Sequence, residues 1–294
     1  MKILIYGQNL KSSEDFVYLD LLVQLLIESN VAFVFYEPLL REVIKTNNTY
    51  TIYNSINTYD EIINQKIDIA ITMGGDGTIL QSITLLKDCN VPILGINLGR
   101  LGFLASVEKS IIAHAIEQLL AHKYRVVSRS VLKLSCNKPI FGDAPIALND
   151  FTLNKRDTSS MITIHIYIDD NLLNSYWADG IIISTPTGST GYSLSCGGPI
   201  VFPDSKNFII TPVAPHNLNL RPVVIPDSHI LSIRVEGRTD SFMCTLDSRY
   251  ETVTSEHHIE ISKGDFDVNF IELEDQSFIK TINAKLMWGL DQRN

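Results

Sequence analysis

Residues 67–86 read Ile67-Asp68-Ile69-Ala70-Ile71-Thr72-Met73-Gly74-Gly75-Asp76-Gly77-Thr78-Ile79-Leu80-Gln81-Ser82-Ile83-Thr84-Leu85-Leu86. The run from Ile67 to Met73 has the apolar, β-branched character of a buried strand. After the glycines, Ile79, Ile83 and Leu86 recur at helical spacing. A strand, a glycine turn and a helix in that order place the turn at the carboxyl edge of a parallel sheet, where open α/β proteins hold ligands.

Outward from this unit the same alternation continues over residues 1 to about 122. Lys2–Tyr6, Val31–Tyr36 and Val91–Asn97 are further strand candidates, and Phe16, Leu19, Leu22, Val23 and Leu26 mark one face of a helix. Thr46–Asp60, rich in Asn, Thr and Tyr, is expected to be loop around one short edge strand. From about residue 123 the texture changes to closely spaced β runs: Val131–Ser135, Ile162–Ile168, Gly180–Thr185, Ile230–Val235, Phe242–Leu246 and Phe266–Ile271. The tail returns to helix, with Phe278, Ile279, Ile282 and Leu286 on one face and Gly289 as a stop signal. The expected fold is therefore α/β followed by β. An N-terminal Rossmann-like parallel-sheet domain comprises residues 1–122 plus about 275–294, with the C-terminal helix packed back on it, and an antiparallel β domain occupies 123–274.

Composition removes several alternatives. The chain has 294 residues, 45% of them hydrophobic and 19% charged, which is enough apolar material for one large or two ordinary cores. A net charge of −9 argues against a broad basic surface for nucleic acid or anionic lipid. No apolar stretch approaches the roughly 20 residues that cross a bilayer, and Met1–Tyr6 runs on without a cleavage site. Cys89, Cys136, Cys196 and Cys244 are widely spaced, as reduced and mostly buried thiols of a cytoplasmic protein would be. No nucleic acid and no membrane are expected as partners.

Two segments carry chemistry. In Gly74-Gly75-Asp76-Gly77-Thr78 the missing Cβ atoms let backbone N–H groups approach phosphate oxygens at a helix N-terminus. Phosphate would repel an Asp in that cradle unless the carboxylate served the chemistry, by binding Mg²⁺ or by accepting the proton of an attacking hydroxyl. The plain alternative is a tight turn with Asp76 capping the helix. The second segment, Ala178-Asp179-Gly180-Ile181-Ile182-Ile183-Ser184-Thr185-Pro186-Thr187-Gly188-Ser189-Thr190-Gly191-Tyr192-Ser193-Leu194-Ser195-Cys196-Gly197-Gly198-Pro199, leads a β run into a cluster of hydroxyls around one aromatic ring. Small hydroxyls, a stacking face at Tyr192 and the Asp179 carboxylate suit a nucleoside, although a connecting loop can have this composition too.

Taken together, these segments resemble the NAD kinase family. Gly-Gly-Asp-Gly-Thr at 74–78 matches the family hallmark, and Asp179–Pro199 is similar to its Asp-Gly…Thr-Pro-Thr-Gly-Ser-Thr-Ala-Tyr-Ser-Leu-Ser…Gly-Gly-Pro signature. Further matches are Asn97-Leu98-Gly99-Arg100-Leu101-Gly102-Phe103-Leu104, Ala147-Leu148-Asn149-Asp150, Thr211-Pro212-Val213-Ala214-Pro215-His216 with Leu220-Arg221-Pro222, and Lys285-Leu286-Met287-Trp288-Gly289. The resemblance spans roughly residues 70 to 290. It implies a β-sandwich as the second domain, nucleotide sites between the domains, and a homodimer or homotetramer.

By this resemblance Asp76 is the base on the 2′-hydroxyl of the adenosine ribose of NAD, and Gly74, Gly75, Gly77 and Thr78 shape the phosphate region. Asn149 and Asp150 contact the dinucleotide. Thr187, Thr190, Gly191, Tyr192, Ser193, Leu194 and Ser195 surround adenine and ribose, Phe103 walls the pocket and Ala214 touches the ligand through its backbone. Asp179 matches an acid that often serves a neighbouring subunit's site. His216 is either a polar contact or a loop residue. Three positions depart from the pattern: Asp150 for Glu, Gly191 for Ala, and Leu246-Asp247-Ser248-Arg249 for Asp-Gly-Gln, so Arg249 inherits no binding role. ATP is the implied donor. Without a Gly-Lys-Ser/Thr phosphate loop, charge neutralisation falls to Mg²⁺ (or another divalent ion) and to the amides at 74–78, which predicts a strict metal requirement. The chain itself offers no cluster of metal ligands. Two other activities fit parts of the pattern: a lipid kinase sharing the Gly-Gly-Asp-Gly-Thr turn, opposed by the hydroxyl-rich loop, and a dinucleotide-binding protein without turnover.

Overall fold

The computed structural model describes residues 1–8, 10, 12–156 and 160–287. The chain forms two compact units, residues 1–128 with the chain from 268 onward, and residues 129–267.

The first unit is built on a parallel sheet whose strands run in the order Ile259–Leu273 (its C-terminal part), Ile93–Asn97, Ile69–Met73, Lys2–Gly7, Ala32–Tyr36 and Ser55–Ile56. The chain proceeds outward from Lys2–Gly7 to Ala32–Tyr36, then returns to place Ile69–Met73 on the other side of the first strand. The order therefore reverses between Lys2–Gly7 and Ile69–Met73, and such a switch point opens a crevice at the carboxyl ends of the two strands. Ile69–Met73 is buried along its whole length, as a central strand covered on both faces must be.

Helix Ser13–Glu28 starts where Ser12 and Asp15 exchange capping bonds of 3.1 and 3.0 Å. It buries Leu19, Leu22, Val23 and Leu26 against the sheet, the face its spacing predicts. The segment 46–60 holds the expected short strand, and also a 3₁₀ turn at Asn48–Ile52 and the start of helix Tyr59–Asn64, capped by Thr58 and Glu61. Tyr50 is buried there among Phe35 and Tyr53. Aromatic anchors in an irregular segment leave no period to read, so this part of the core is silent in the sequence.

After Leu273 the chain remains in the first unit, where helix Phe278–Leu286 buries Ile282. The Gly289 stop signal lies outside the described residues.

The second unit contains two antiparallel sheets. One runs Asn171–Ala178, Ile162–Ile168, Leu231–Glu236 and the N-terminal part of Ile259–Leu273; the other runs Val223–Pro226, Asn207–Val213, Gly180–Ser184, Asp150–Lys155, Phe242–Leu246 and Arg249–Val253. Ile164, Ile166, Ile233 and Val235 from the first share one core with Phe151, Leu153, Ile181, Ile183, Phe208 and Phe242 from the second. This is the sandwich arrangement of alternating inward residues. All four cysteines are free; Cys244 is buried in this core, Cys136 at the end of strand Tyr124–Cys136 packs against it half-buried, and Cys89 and Cys196 are half-buried.

Candidate active site

The switch-point crevice of the first unit is a cleft of about 450 Å³ lined by Gln8, Met73, Gly74, Gly75, Gly77 and Thr78 among others. Gly74 cannot be replaced without strain: its φ is 152°, and a Cβ would stand 2.1 Å from Thr78 Oγ1. A Cβ at Gly75 or Gly77 would meet nothing within 4 Å, so these two glycines leave open space in front of the backbone. Gly75 is the N-cap of helix Asp76–Leu86, and no side chain caps its first N–H groups. Uncapped donors at the positive end of a helix dipole, facing a cleft, suit phosphate oxygens.

Asp76 does not cap its own helix. Its Oδ1 accepts from the backbone N–H of Leu104 at 3.0 Å and of Ala105 at 2.9 Å, and its Oδ2 accepts from Phe103 N–H at 2.8 Å. Gly102 makes room for this grip, since a Cβ there would lie 1.9 Å from Asp76 Oδ1. A carboxylate offers about four lone-pair positions; three are occupied, and the one left is on Oδ2. The loop that binds Asp76 is itself folded by the buried Asn97, whose side chain takes Gly99 N–H at 2.7 Å and donates to the Arg100 carbonyl. Phe103 is half-buried, with Lys285 Nζ 5.4 Å from its ring centroid.

In the second unit Gly180–Ser184 delivers the hydroxyl-rich loop. Thr185 is pinned from both sides, its N–H donating to Asn149 O at 2.9 Å and its Oγ1 to the Leu148 carbonyl. This brings together Asn149, Asp150, Thr187, Gly188 and Gly191: a Cβ at Gly191 would stand 3.6 Å from Asn149 Nδ2 and 3.7 Å from Asp150 Oδ2. Asn149 Oδ1 and Thr187 Oγ1 are buried acceptors without a protein partner. Buried oxygens left unbonded are costly, and a ligand donor would satisfy both.

The rest of the loop divides by exposure. Tyr192, 42% exposed, and Ser195 face solvent, Thr190 and Leu194 are half-buried, and Ser193 is buried with its Oγ 2.8 Å from Thr211 Oγ1. Ser193 thus fastens the loop from within. Burial raises the Tyr192 hydroxyl above its usual range, with Cys196 and the carboxyls of Asp150 and Asp179 adding to the rise. Asp179 is ion-paired with Lys155 Nζ at 2.5 Å, and its N–H donates to Val213 O at 3.0 Å, next to Ala214. Exposed Ala214 holds a left-handed φ of 43°, rare for a residue with a Cβ and typical of ligand clamps. His216 is exposed and lies tilted against the Trp177 ring, with 4.3 Å between centroids and 43° between planes.

A residue that sequence reasoning passed over organises this half. Asp247 turns its carboxylate onto the N–H groups of Leu148, Asn149 and Asp150 at 2.9, 2.8 and 3.1 Å. Arg249 beside it donates to the carbonyls of Ala144 and Ile146. The Leu246–Arg249 departure is therefore a clamp on the chain that presents Asn149 and Asp150. The signal available was an acid and an arginine two residues apart between two strands, which names no partner.

Asp150 is 6% exposed. Burial, and next the negative charge of Asp247, push its carboxyl up to about 7. Burial also raises Asp247, to about 6, against the pull of its three N–H donors and Arg249. A carboxyl raised in the folded state binds its proton more tightly there than in the unfolded chain. Its contribution to stability is therefore full below about pH 4 and is lost as pH rises through about 7. Asp150→Asn is expected to raise the melting temperature over wild type at pH 8, with a gain that shrinks as pH falls towards 4. A gain independent of pH would show that Asp150 is not held protonated by the fold.

Comparison with known proteins places both halves. The family model "ATP-NAD kinase N-terminal domain" matches residues 19–124, and "ATP-NAD kinase C-terminal domain" matches residues 148–273. The chain is 43% identical over 298 residues to the NAD kinase of Christiangramia forsetii, covering all of both chains. It is 51% identical over 229 residues to that of Cytophaga hutchinsonii, 78% of each. Among solved structures it resembles the yeast NADH kinase complexed with NADH, with a TM-score of 0.85 at 22% identity over 100% of this chain and 89% of that one. It also resembles an NAD kinase from Archaeoglobus fulgidus in complex with ATP, with a TM-score of 0.74 at 23% identity over 98% and 99%.

Proposed function

The chain belongs to the NAD kinase family, and from that premise we propose which of its groups perform the reaction. The activity is phosphoryl transfer from ATP to a hydroxyl of NAD. In this reaction the 2′-oxygen of the adenosine ribose attacks the terminal phosphorus, the bond to the bridging oxygen breaks, and ADP and NADP leave. A ribose hydroxyl is a weak acid, so its proton needs a positioned acceptor.

Asp76 is that acceptor. The observation that carries this assignment is the carboxylate held by the N–H groups of Phe103, Leu104 and Ala105, with one lone-pair position on Oδ2 left for a hydroxyl. The uncapped N–H groups at the start of helix Asp76–Leu86 and the open backbone of Gly75 and Gly77 bind phosphate oxygens. In the second unit Asn149 Oδ1 and Thr187 Oγ1 accept from the nucleoside. Tyr192 stacks on it, with Thr190, Gly191, Leu194 and Ser195 as further lining. Asp150, Asp179 and Ala214 complete the dinucleotide contacts, and Ser193 supports them from the core.

The divalent ion belongs to the substrate. No three His, Cys, Asp or Glu side chains converge among the described residues, and Mg²⁺ is commonly carried on nucleotide phosphates with water completing its shell. On ATP it neutralises phosphate charge as the transferring group moves. The chain works as a cytoplasmic homodimer or homotetramer, a state that sedimentation velocity reads directly. Among the described residues no helix is long and apolar enough to cross a membrane.

Purified protein incubated with NAD, ATP and Mg²⁺ is expected to form NADP, read by a coupled NADP-specific dehydrogenase, and chelation of the metal abolishes it. NADP formation undiminished by a chelator would overturn the role given to the ion.

A further inference from the structure

The three N–H groups that hold Asp76 converge only if the loop 102–106 keeps its shape, and part of that shape comes from the far end of the chain. Gln276 lies half-buried between the end of strand Ile259–Leu273 and Ser277, the N-cap of helix Phe278–Leu286. Its side-chain amide makes two bonds to one residue of the loop: Oε1 accepts from Ser106 Oγ at 2.9 Å, and Nε2 donates to the Ser106 carbonyl at 3.0 Å. Gln276 is set for this by its own N–H, which donates to Leu273 O at 3.0 Å. From the same terminal segment Lys285 lies over the Phe103 ring. The stretch that supplies donors to Asp76, residues 103–105, is thus gripped at Phe103 and at Ser106 by a segment beyond the residues that the family models match.

We infer that Gln276 is a positioning residue for phosphoryl transfer, acting through Ser106 and the loop 103–105 on the carboxylate of Asp76. This rests on the assignment of Asp76 as base. An amide is the side chain that can accept from a hydroxyl and donate to a carbonyl at once. Glu at this position keeps the acceptor but sets a charge against the Ser106 carbonyl, and Met keeps length and volume but makes neither bond. Displacement of a reacting group by about 1 Å is worth roughly 10²-fold in rate, so a loosened loop lowers kcat without removing a substrate contact.

The test compares wild type, Gln276→Met, Gln276→Glu, Asp76→Asn and Asp76→Asn/Gln276→Met for kcat, for KM of ATP and NAD, and for melting temperature. Gln276→Met is expected to lose about 10-fold to 10²-fold in kcat, the range of a sub-ångström to 1 Å displacement. Both KM values stay near wild type, Gln276→Glu falls between, and the loss vanishes in the Asp76→Asn background, because there is no longer a base to position. Full kcat in folded Gln276→Met overturns the inference, as does an equal loss in both backgrounds or a loss confined to KM. Should Gln276→Met fail to fold, Ser106→Ala removes the hydroxyl half of the bracket and is held to the same pattern. Near-native turnover of Asp76→Asn alone would instead remove the base, and the inference with it, whereas an inactive Asp76→Asn beside a fully active Gln276→Met removes only the inference.

Discussion

Asp76→Asn is expected to form NADP about 10²–10⁴-fold more slowly than wild type, the usual contribution of a positioned general base. The amide has no lone pair to take the ribose proton on its nitrogen side. The substitution also tests the grip on the loop. The three donors at 103–105 are divided between both carboxylate oxygens, so whichever way the amide turns, at least one N–H meets an NH₂ group. That leaves a backbone donor unsatisfied at a cost of about 1–3 kcal/mol, seen as a fall of several degrees in melting temperature. Turnover and thermal unfolding measured on the same preparation separate the two effects. A folded variant with near-native turnover would sink the assignment of Asp76 as base, whatever its stability.

Gly188→Ala is expected to be the most damaging single methyl in the second unit. A Cβ there would stand 2.1 Å from Asn149 O, 2.5 Å from its carbonyl carbon and 2.7 Å from its Cα. All three are main-chain atoms, so no rotamer change relieves the overlap. The carbonyl that must move is the one that accepts from Thr185 N–H at 2.9 Å, which ties Asp150 and its neighbours to the loop. Overpacking of this kind costs about 1–3 kcal/mol or more, or roughly 2–5 °C in melting temperature for a protein of this size. Because Asn149 and Thr187 line the displaced region, KM for NAD should rise by about tenfold or more, the effect of losing around 1.4 kcal/mol of binding, while KM for ATP changes little. Wild-type values for both melting temperature and KM of NAD would show that Gly188 is not what lets the loop approach Asn149.

The two variants probe features of different origin. Gly74, Gly75 and Gly77 stand out together in the sequence, and their causes are local: the φ of Gly74 demands glycine, while Gly75 and Gly77 leave open space before the backbone. Gly188 is legible only as part of a familiar motif; its physical reason is the main chain at Asn149, 39 residues away in the sequence.

What the sequence by itself determined follows the same division. The strand, turn and helix at 67–86, the helix face at Leu19, Leu22, Val23 and Leu26, and the change to β-rich texture after residue 123 are written in apolar period and glycine placement. These are short-range signals, and they fix local structure. The family, and with it the reaction, came from two ordered motifs whose residue types are constrained by chemistry. Only the tertiary structure decided what Asp76 holds, because its partners stand 27 to 29 residues away, beyond the helix Asp76–Leu86 and the strand Ile93–Asn97. Only there do Asp247 meet the amides of 148–150 and Gln276 bracket Ser106, at separations of 97 to 99 and of 170 residues. Ser193 and Tyr50 turned inward for the same reason. A hydrogen-bonding side chain shows its capacity in the sequence, but its partner is selected by the path of the chain, which sets which amides and carbonyls arrive unpaired beside it.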